Sequence, residues 1–259
     1  MRGKCALITG STAGLGYAIA GRLAAEGCRI ILNGIASADD AERVRSELAR
    51  KHDVDVRFHG ADLTKPERIA DLIRFATDAF GGVDILVNNA VVRHFAPIEQ
   101  FPVESWNEAL AVNLSATFHT VRLALPGMRQ RGWGRIINLA SVYSFVAVAN
   151  RIDYVTTKTA ILGLTRAIAL ETAGTEITCN AIAPGVLPTP AILSRLATVA
   201  REQGISTEQA TRDYLAANQP GGKFIPIESV AGLIAFLCGP TSQGMTGAVY
   251  PVDGGWTIV

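Results

Sequence analysis

A glycine-rich turn near the start of the chain, between a short apolar run and a helical pattern, constrains the fold most strongly. Residues 4–9 are mostly apolar, and the turn reads Thr9-Gly10-Ser11-Thr12-Ala13-Gly14-Leu15-Gly16. Leu15, Ile19 and Leu23 then recur at helical steps. Glycines let a backbone approach a pyrophosphate, and a helix N-terminus offers it unpaired N–H groups. A nucleotide phosphate site is therefore predicted here, although glycines often mark only a tight turn.

The rest of the chain alternates between apolar runs and helical patterns. Further strands are predicted at residues 28–33, 54–59, 83–90, 135–140, 177–182 and 248–252. Helices are predicted at residues 38–51, 66–80, 104–128 and 229–237, and from about residue 154 onwards. This order, without a repeat or a linker, predicts an α/β fold: a single doubly wound domain over residues 1–259, with a seven-stranded parallel sheet. Residues 190–222, with helical patches at 192–203 and 207–217, are interpreted as a helical substrate lid.

Composition and charge narrow the functional classes. Hydrophobic residues make up 49% and charged residues 18%, a composition typical of globular proteins. The net charge of +1 gives no electrostatic reason to expect nucleic acid or an anionic membrane as partner. Apolar runs stay below transmembrane length, and little sequence precedes the first strand, so we expect a cytoplasmic protein without a signal peptide. The cysteines are scattered, which predicts reduced core thiols and no metal site; they are Cys5, Cys28, Cys179 and Cys238.

A polar constellation follows the fifth predicted strand. Ser141 comes directly after residues 135–140, at the edge where open α/β sheets bind their ligands. Tyr154 and Lys158 are four residues apart, which places them on one helical face with Cβ atoms roughly 5–6 Å apart. A nearby ammonium stabilises a phenolate and so lowers the pKa of a tyrosine. Proton transfer at an alcohol or a carbonyl is therefore predicted, although this spacing also occurs by chance on solvated helices.

Three further positions bear on the cofactor and the site. The second strand ends in Asn33-Gly34, and no Arg or Lys follows before Arg43, so a 2′-phosphate finds no obvious partner and NAD is favoured over NADP. Asp62 is placed to accept from an adenine amino group, to cap the helix beginning near residue 66, or to do both. Asn113 lies inside a predicted helix, where Asn is unfavourable, so a buried site role competes with a plain surface position.

These motifs occur jointly and resemble the short-chain dehydrogenase/reductase family. The matching elements are Thr9-Gly10-x-x-x-Gly14-x-Gly16, Asp62, Asn88-Asn89-Ala90, Asn113, Ser141, Tyr154-x-x-x-Lys158 and Pro184-Gly185. The resemblance spans nearly the whole chain and implies a Rossmann fold, a nicotinamide cofactor and a catalytic tetrad of Asn113, Ser141, Tyr154 and Lys158. It implies cofactor contacts from Gly10, Ser11, Thr12, Gly14, Leu15, Gly16, Asn33, Gly34, Asp62, Leu63, Asn89, Ala90, Tyr154, Lys158, Pro184, Gly185 and Thr189.

In that family the tyrosine corresponding to Tyr154 acts as the general base of alcohol oxidation. The resemblance further implies that Lys158 also holds the nicotinamide ribose, that Asn113 supports a proton-relay water, and that Asn89 lies near the adenosine ribose.

Several segments are similar to one subfamily, the bacterial D-3-hydroxybutyrate dehydrogenases, which are NAD-dependent and tetrameric. They are Leu32-Asn33-Gly34, Gly60-Ala61-Asp62-Leu63, Leu114-Ser115-Ala116-x-Phe118-His119, Glu171-Thr172-Ala173-Gly174, Thr178-x-Asn180-Ala181-Ile182 and Val252-Asp253-Gly254-Gly255-Trp256-Thr257. This resemblance implies a homotetramer. We expect the helices around Asn113 and after Tyr154 to pair between subunits, and the apolar end Trp256-Thr257-Ile258-Val259 to pack on a neighbour.

The positions expected to hold substrate depart from that subfamily. Val91 replaces a glycine after Asn-Asn-Ala, and the residues that hold the substrate carboxylate in the subfamily (Gln, His, Lys and a Gln on the lid) are replaced here by Arg93, Tyr143, Arg151 and Arg195. Arginine binds carboxylate, sulfonate or phosphate groups bidentately, although each could be an ordinary surface arginine. Together with Ser141 and Tyr154 these residues form the expected substrate site. An anionic small molecule other than 3-hydroxybutyrate is predicted: a longer or dianionic hydroxy acid, or an acidic or sulfonated sugar.

The leading prediction is an NAD-dependent dehydrogenase that acts on a secondary alcohol. The alternatives are D-3-hydroxybutyrate dehydrogenase itself, an NADPH-dependent 3-ketoacyl-type reductase, and an NAD-binding regulatory protein without activity. The complete tetrad of Asn113, Ser141, Tyr154 and Lys158 argues against the regulatory protein, because an idle site has no need of all four residues.

Overall fold

A parallel sheet of seven strands forms the centre of the computed structural model, which describes residues 1–258. The strands are β1 (Cys5–Ile8), β2 (Arg29–Asn33), β3 (Val56–His59), β4 (Ile85–Asn88), β5 (Gly134–Leu139), β6 (Ile177–Pro184) and β7 (Val249–Val252). Their order is β3-β2-β1-β4-β5-β6-β7, and neighbouring strands pair in parallel. The order reverses between β1 and β4, which is where open α/β sheets of this kind bind their ligands.

Helices connect the strands and cover both faces of the sheet. They are α1 (Gly14–Ala25), α2 (Ala38–His52), α3 (Pro66–Phe80), α4 (Val103–Leu110), α5 (Ala116–Arg131), α6 (Ile152–Glu171), α7 (Pro190–Gln203), α8 (Thr207–Asn218) and α9 (Ile227–Cys238). None of them, within residues 1–258, combines the length and the apolar character needed to cross a bilayer. The predicted doubly wound Rossmann fold is confirmed, and residues 190–222 contain the helix pair α7 and α8.

Side chains alternate between the two faces of the sheet, and each face has its own core. Ile8 in β1 packs in a cluster with Leu23 of α1 and residues of α9. Its neighbour Leu7 belongs to a second cluster, with Leu72 of α3 and Val121 of α5. Strands that are covered on both faces read as continuous apolar runs, which is why the sequence shows them so clearly. The four cysteines are free and buried in this interior, as predicted.

The long helix predicted over residues 104–128 is present, and helical residues run from the start of α4 to the end of α5 without a gap. The sequence does not indicate that its middle part is a π-helix. A π-helical segment, Ala111–Ser115, separates α4 from α5, and Asn113 lies in it. The Asn113 side chain bonds to the main chain of Val92 on both its oxygen and its nitrogen. A π-bulge of this kind commonly marks a functional position in a helix, and sequence periodicity does not reveal it.

Candidate active site

A crevice of about 600 Å³ opens at the carboxyl ends of the central strands, within the size range of small-molecule sites. Most of the residues predicted for the site line it. They are Gly10, Gly14, Leu15, Gly16, Asn33, Gly34, Asp62, Leu63, Asn89, Ala90, Arg93, Ser141, Tyr143, Arg151, Tyr154, Lys158, Pro184, Gly185 and Thr189. Four predicted residues are not part of the lining: Ser11, Thr12, Asn113 and Arg195.

The glycine-rich turn between β1 and α1 is tied down from the side of β4. Asn89 donates its side-chain N–H groups to the carbonyl oxygens of Thr9 and Gly10, each at 2.9 Å. A Cβ on Gly16 would lie 2.2 Å from the Gly10 carbonyl oxygen, so only glycine fits there. Ala13 caps α1 without any side-chain hydrogen bond and lines the crevice. The first N–H groups of α1 therefore lack a capping partner, as a bound phosphate requires.

Ser11 has a structural place. Its hydroxyl donates to the carbonyl oxygen of Ile8 at 2.7 Å and accepts from the N–H of Asn33 at 3.0 Å. The side chain is fully buried and joins the ends of β1 and β2. Its main-chain N–H also donates to the carbonyl oxygen of Asn33, at 2.8 Å, so both the hydroxyl and the N–H have partners within the protein. The cofactor contact of Ser11 stays a prediction.

Asp62 lines the crevice after β3 but does not cap α3. Its Oδ1 accepts from the N–H and the hydroxyl of Thr64, at 2.9 and 2.7 Å. These two hydrogen bonds hold the pKa of Asp62 below its ordinary value. The N-cap of α3 is Lys65, so the capping alternative is wrong: the carboxylate closes the preceding turn instead. The adenine contact of Asp62 stays a prediction.

Ser141 lies two residues beyond the end of β5 and is the N-cap of the short 3-10 helix Val142–Ser144. Its hydroxyl oxygen accepts from the N–H of Tyr143 at 3.2 Å, while its own N–H donates to the Ser144 hydroxyl. Because the oxygen already accepts from the main chain, the hydroxyl hydrogen can be donated to Tyr154 or to an oxygen of a molecule in the crevice.

Tyr154 and Lys158 meet at the bottom of the crevice, and both are buried. Lys158 Nζ donates to the Leu139 carbonyl oxygen at 2.5 Å and lies 5.7 Å from the centre of the Tyr154 ring. Burial alone would raise the pKa of Tyr154, but the charges of Arg93 and Lys158 lower it to about 8. A hydrogen bond with Ser141 acts in the same direction.

Burial also lowers the pKa of Lys158 to about 8, against the opposing effect of the Tyr154 phenolate. Both members of the pair are thus poised to exchange protons near neutral pH, as acid–base catalysis requires.

Asn113 is buried and lies outside the crevice lining. Its Oδ1 accepts from the N–H of Val92 at 2.9 Å, and its Nδ2 donates to the carbonyl oxygen of Val92 at 3.0 Å. The side chain therefore clamps the segment that leaves β4. Support of a relay water by Asn113 stays a prediction.

Arginines and aromatic rings gather beside Tyr154. The guanidinium carbon of Arg151 lies 4.4 Å from the ring centres of both Phe95 and Tyr154. Arg93 lies 5.3 Å from the Tyr154 ring, and Arg195 lies 4.6 Å from the Phe95 ring. Within residues 1–258 none of the three arginines forms an ion pair. Nε and Nη2 of Arg151 are buried without a hydrogen-bond partner.

Two aromatic residues that were not predicted for the site, Trp256 and Tyr214, line the crevice together with the predicted Tyr143. The Tyr143 ring lies 5.5 Å from Trp256 and 6.2 Å from Tyr154, and Tyr214 of α8 also lines the crevice. Trp256 lines the crevice of its own chain, because β7 ends at the same edge of the sheet. Packing of residues 256–259 on a neighbouring subunit stays a prediction. Ile258 is exposed. Val259, the last residue of that expectation, lies outside the described residues.

Comparisons with known proteins agree with this geometry. The model of a family described as Enoyl-(Acyl carrier protein) reductase matches residues 10–257. D-beta-hydroxybutyrate dehydrogenase of Cupriavidus necator is 46% identical over 257 residues, covering 99% of this chain and 98% of the relative. The enzyme of the same name from Rhizobium meliloti is 46% identical over 254 residues, with 98% of each covered.

Among solved structures, L-sorbose reductase from Gluconobacter frateurii, complexed with NADPH and L-sorbose, is 30% identical and superposes with a TM-score of 0.96 over 100% of this chain and 98% of its own. The curated relatives carry the names of dehydrogenases and match nearly the full length of the chain. The chain therefore belongs to the short-chain dehydrogenase/reductase family, and it is an oxidoreductase of CH–OH groups similar to the D-beta-hydroxybutyrate dehydrogenases.

Proposed function

We propose that the protein is an NAD-dependent dehydrogenase that interconverts a secondary alcohol and a ketone on an anionic substrate other than 3-hydroxybutyrate. A longer or dianionic hydroxy acid, or an acidic or sulfonated sugar, fits best. The observation that carries the proposal is the Arg151 guanidinium, which lies between Phe95 and Tyr154 with Nε and Nη2 buried and unpartnered. A buried cation without a partner is costly, and an anion bound beside it would remove that cost.

Side chains of the protein itself can take up the proton that the substrate hydroxyl loses during oxidation. The Ser141 hydroxyl donates to the oxygen of the substrate, and the Tyr154 phenolate accepts the hydroxyl proton as the ketone forms. Lys158 stabilises the phenolate before this transfer. NAD, when bound, supplies the acceptor for the hydride that leaves the alcohol carbon. Arg151, next to Tyr154, would fix the distance between the anionic group and the reacting hydroxyl.

NAD is favoured over NADP by the charge distribution along the crevice. In the described part of the chain, the basic side chains that line the crevice are Arg93, Arg151 and Lys158, all at the Tyr154 end. The lining after β2 and β3 is neutral or acidic, and Arg43, the first cation after β2, is paired with Asp40 at 3.1 Å. An adenosine 2′-phosphate would find no cation there. The L-sorbose reductase structure contains NADPH, so both cofactors belong in the test.

Two other activities remain as alternatives. D-3-hydroxybutyrate dehydrogenase is favoured by the identity of 46% over nearly the whole chain. An NADPH-dependent 3-ketoacyl-type reductase is favoured by the fold shared with an NADPH-binding reductase. The replaced residues Arg93, Tyr143, Arg151 and Arg195 weigh against the first alternative, and the missing cation after β2 weighs against the second.

The test compares matched charged and uncharged substrates with each cofactor. Purified protein is assayed by NADH or NADPH absorbance with 3-hydroxybutyrate, 3-hydroxyhexanoate, 3-hydroxyglutarate, sugar acids and the corresponding methyl esters. We expect kcat/KM with NAD to be at least about tenfold higher for a longer or dianionic acid than for its ester, since a charge-assisted hydrogen bond contributes roughly 1.5–3 kcal/mol. Equal turnover of acid and ester, or a preference for NADP, would refute the corresponding part of the proposal.

A homotetramer is proposed with this function. Its support is the resemblance to a tetrameric subfamily together with exposed apolar side chains on α5 and α6, where Phe118 is 51% and Leu170 is 79% exposed in the single chain. Light scattering after size exclusion should give the mass of four chains, and a monomer mass would refute the proposal.

A further inference from the structure

Residues 92–96, called the strap here, connect β4 to the region of α4, and alternate residues of the strap have different contacts. The even-numbered residues are anchored to other elements through hydrogen bonds. Val92 is held by the Asn113 side chain, His94 by the Asp153 side chain, and Ala96 by the carbonyl oxygen of Asn150 at 3.2 Å. The odd-numbered residues, Arg93 and Phe95, contact the arginine and tyrosine groups of the active site.

Asp153 is the central anchor. Its side chain is fully buried, directly before Tyr154 in α6. Oδ2 accepts from the main-chain N–H of His94 at 3.2 Å and lies 3.1 Å from its ring Nδ1. Oδ1 accepts from the N–H of Tyr154 at 2.6 Å. One carboxylate thus joins the strap to the first turn of the helix that carries the tyrosine.

The other side of the His94 ring is also held. Its Nε2 lies 3.0 Å from a carboxylate oxygen of Glu108 in α4, which lines the crevice. The imidazole therefore bridges α4 and α6, and its edge packs against the Phe101 ring at 6.3 Å. Since its main chain and its ring contact the same carboxylate, a change at Asp153 would release the strap at two points.

We propose that Asp153 is a positioning residue that acts through His94: it holds the strap so that Arg93 stays against the Tyr154 ring and Phe95 stays beside Arg151. This role rests on the proposed function only in so far as Arg93 and Arg151 receive the substrate. The contact between Arg93 and Tyr154 is a feature of the protein itself and can be tested without substrate.

The charge of Asp153 and its positioning of Arg93 have opposite effects on the pKa of Tyr154, and this difference makes the proposal testable. Loss of a nearby negative charge would by itself favour the phenolate and lower the pKa of Tyr154. Movement of Arg93 away from the ring would raise that pKa, because Arg93 is the largest of the charges that lower it. Removal of the Asp153 carboxylate should therefore raise the pKa of Tyr154 if its role is positional.

The first experiment is an ultraviolet titration of tyrosinate in the full-length protein, with the Tyr154→Phe protein as reference. Asp153→Ala should raise the pKa of Tyr154 by roughly one unit, the size of shift that a single nearby charge produces. Arg93→Gln should give a similar rise, and the double variant should show no further rise. A fall or no change in Asp153→Ala, or full additivity in the double variant, would overturn the proposal.

A second pair of variants guards against a misfolded Asp153→Ala protein. The His94 side chain is 24% exposed, so its replacement leaves the buried carboxylate in place. His94→Leu removes the ring contact and should raise the pKa of Tyr154, whereas His94→Asn keeps a donor near the Nδ1 position and should restore most of the wild-type value. The same pKa in both variants would show that the ring contact has no positional role, and would overturn the part of the proposal assigned to His94.

Substrate kinetics separate this proposal from the proposed function. With 3-hydroxyglutarate as probe, Asp153→Ala should raise KM several-fold more than it lowers kcat. Each protein is assayed at the same interval above its own titrated pKa of Tyr154, so that the tyrosine is equally ionised in both. A wild-type enzyme that shows no preference for anions would refute the anionic-substrate proposal and leave the tyrosinate result standing. A normal titration in Asp153→Ala would refute the positioning role and leave the substrate preference standing.

Discussion

The Nζ atom of Lys158 lies 5.7 Å from the centre of the Tyr154 ring, and both side chains are buried. A hydrogen bond to the Leu139 carbonyl oxygen at the end of β5 holds the ammonium there. The spacing of four residues puts both groups on one face of α6, while β5 fixes the lysine from the other side. The ionisation of one group depends on that of the other, so the pair titrates as a unit.

Replacement of Tyr154 by Phe should strongly lower turnover and leave cofactor binding nearly intact. The ring is kept and only the phenolic oxygen is lost, so we expect kcat to fall by about 10²–10⁴-fold, the usual contribution of acid–base catalysis. The Kd for NAD, measured by calorimetry, should change less than about threefold, which corresponds to less than about 0.7 kcal/mol of binding free energy. Tyr250→Phe, in β7 and outside the crevice lining, is the matched control. Retained activity would remove Tyr154 from its proposed role.

The pH dependence of alcohol oxidation should follow the ionisation of Tyr154. The base must be deprotonated to accept a proton, so kcat/KM should rise with pH and level off above the pKa of about 8. Loss of the cationic charge in Arg93→Gln should move the midpoint to higher pH, because that charge favours the phenolate. Steady-state assays from pH 6 to pH 10 test this expectation. A wild-type midpoint near the ordinary tyrosine value of about 10 would contradict it.

The sheet could be predicted from the sequence because its strands are buried on both faces. A continuous apolar run, such as the one ending at Ile8, indicates a buried strand without reference to distant contacts. The glycine-rich turn likewise indicates a phosphate site from its own sequence. The π-helical turn within the long helix could not be predicted, because its residue Asn113 bonds to Val92, which lies 21 residues away in the chain. The same holds for the contact between Asp153 and His94.

Catalytic residues could be predicted from the sequence where they follow the end of a strand or share one face of a helix. Ser141 and the pair on α6 are of this kind. Stacking of Arg151 between Phe95 and Tyr154 joins two distant parts of the chain, and no spacing in the sequence indicates it. The position of Trp256 could have been predicted. Because β7 is parallel to the other strands, a residue soon after its end lies at the edge of the crevice.

Removal of the charge at Arg151 should weaken the binding of an anionic substrate specifically. In Arg151→Gln we expect KM for the preferred acid to rise at least about tenfold, from the roughly 1.5–3 kcal/mol of a charged hydrogen bond, with little change for the methyl ester. Arg151 also lowers the pKa of Tyr154, so each protein is assayed at the same interval above its own Tyr154 pKa. Arg50→Gln, exposed near the end of α2, is the control. Equal effects on acid and ester would contradict a direct contact.

An added cation after β2 should improve the binding of NADP. Ile35 lines the crevice there and is 77% exposed, so a long side chain has room. Ile35→Arg should lower the Kd for NADP by about tenfold through a charged hydrogen bond and leave the Kd for NAD nearly constant. Ile35→Gln keeps a polar side chain without the charge and should leave the ratio of the two constants unchanged. A ratio that does not respond to the arginine would mean that the ribose lies elsewhere.

Two glycines of α1 should respond in opposite ways to alanine, because only one of them is closed off by backbone. A Cβ on Gly16 would lie 2.2 Å from the Gly10 carbonyl oxygen, which Asn89 holds in place, so the turn would have to shift. Gly16→Ala should lower the free energy of unfolding by about 1–3 kcal/mol and weaken NAD binding.

Gly21 lies on the same helix, and the nearest atom to its added Cβ is Leu48 Cδ1 at 3.7 Å, an ordinary contact. Gly21→Ala should raise the free energy of unfolding by roughly 0.5–1 kcal/mol, since alanine favours the helix interior. Urea unfolding measures the free-energy change of both variants, provided that the m-values stay equal to that of the unchanged protein. Equal destabilisation would show that helix propensity and the close approach of the turn do not control these positions. A loss in Gly16→Ala together with a gain in Gly21→Ala would show that the Gly10 carbonyl group restricts position 16 to glycine.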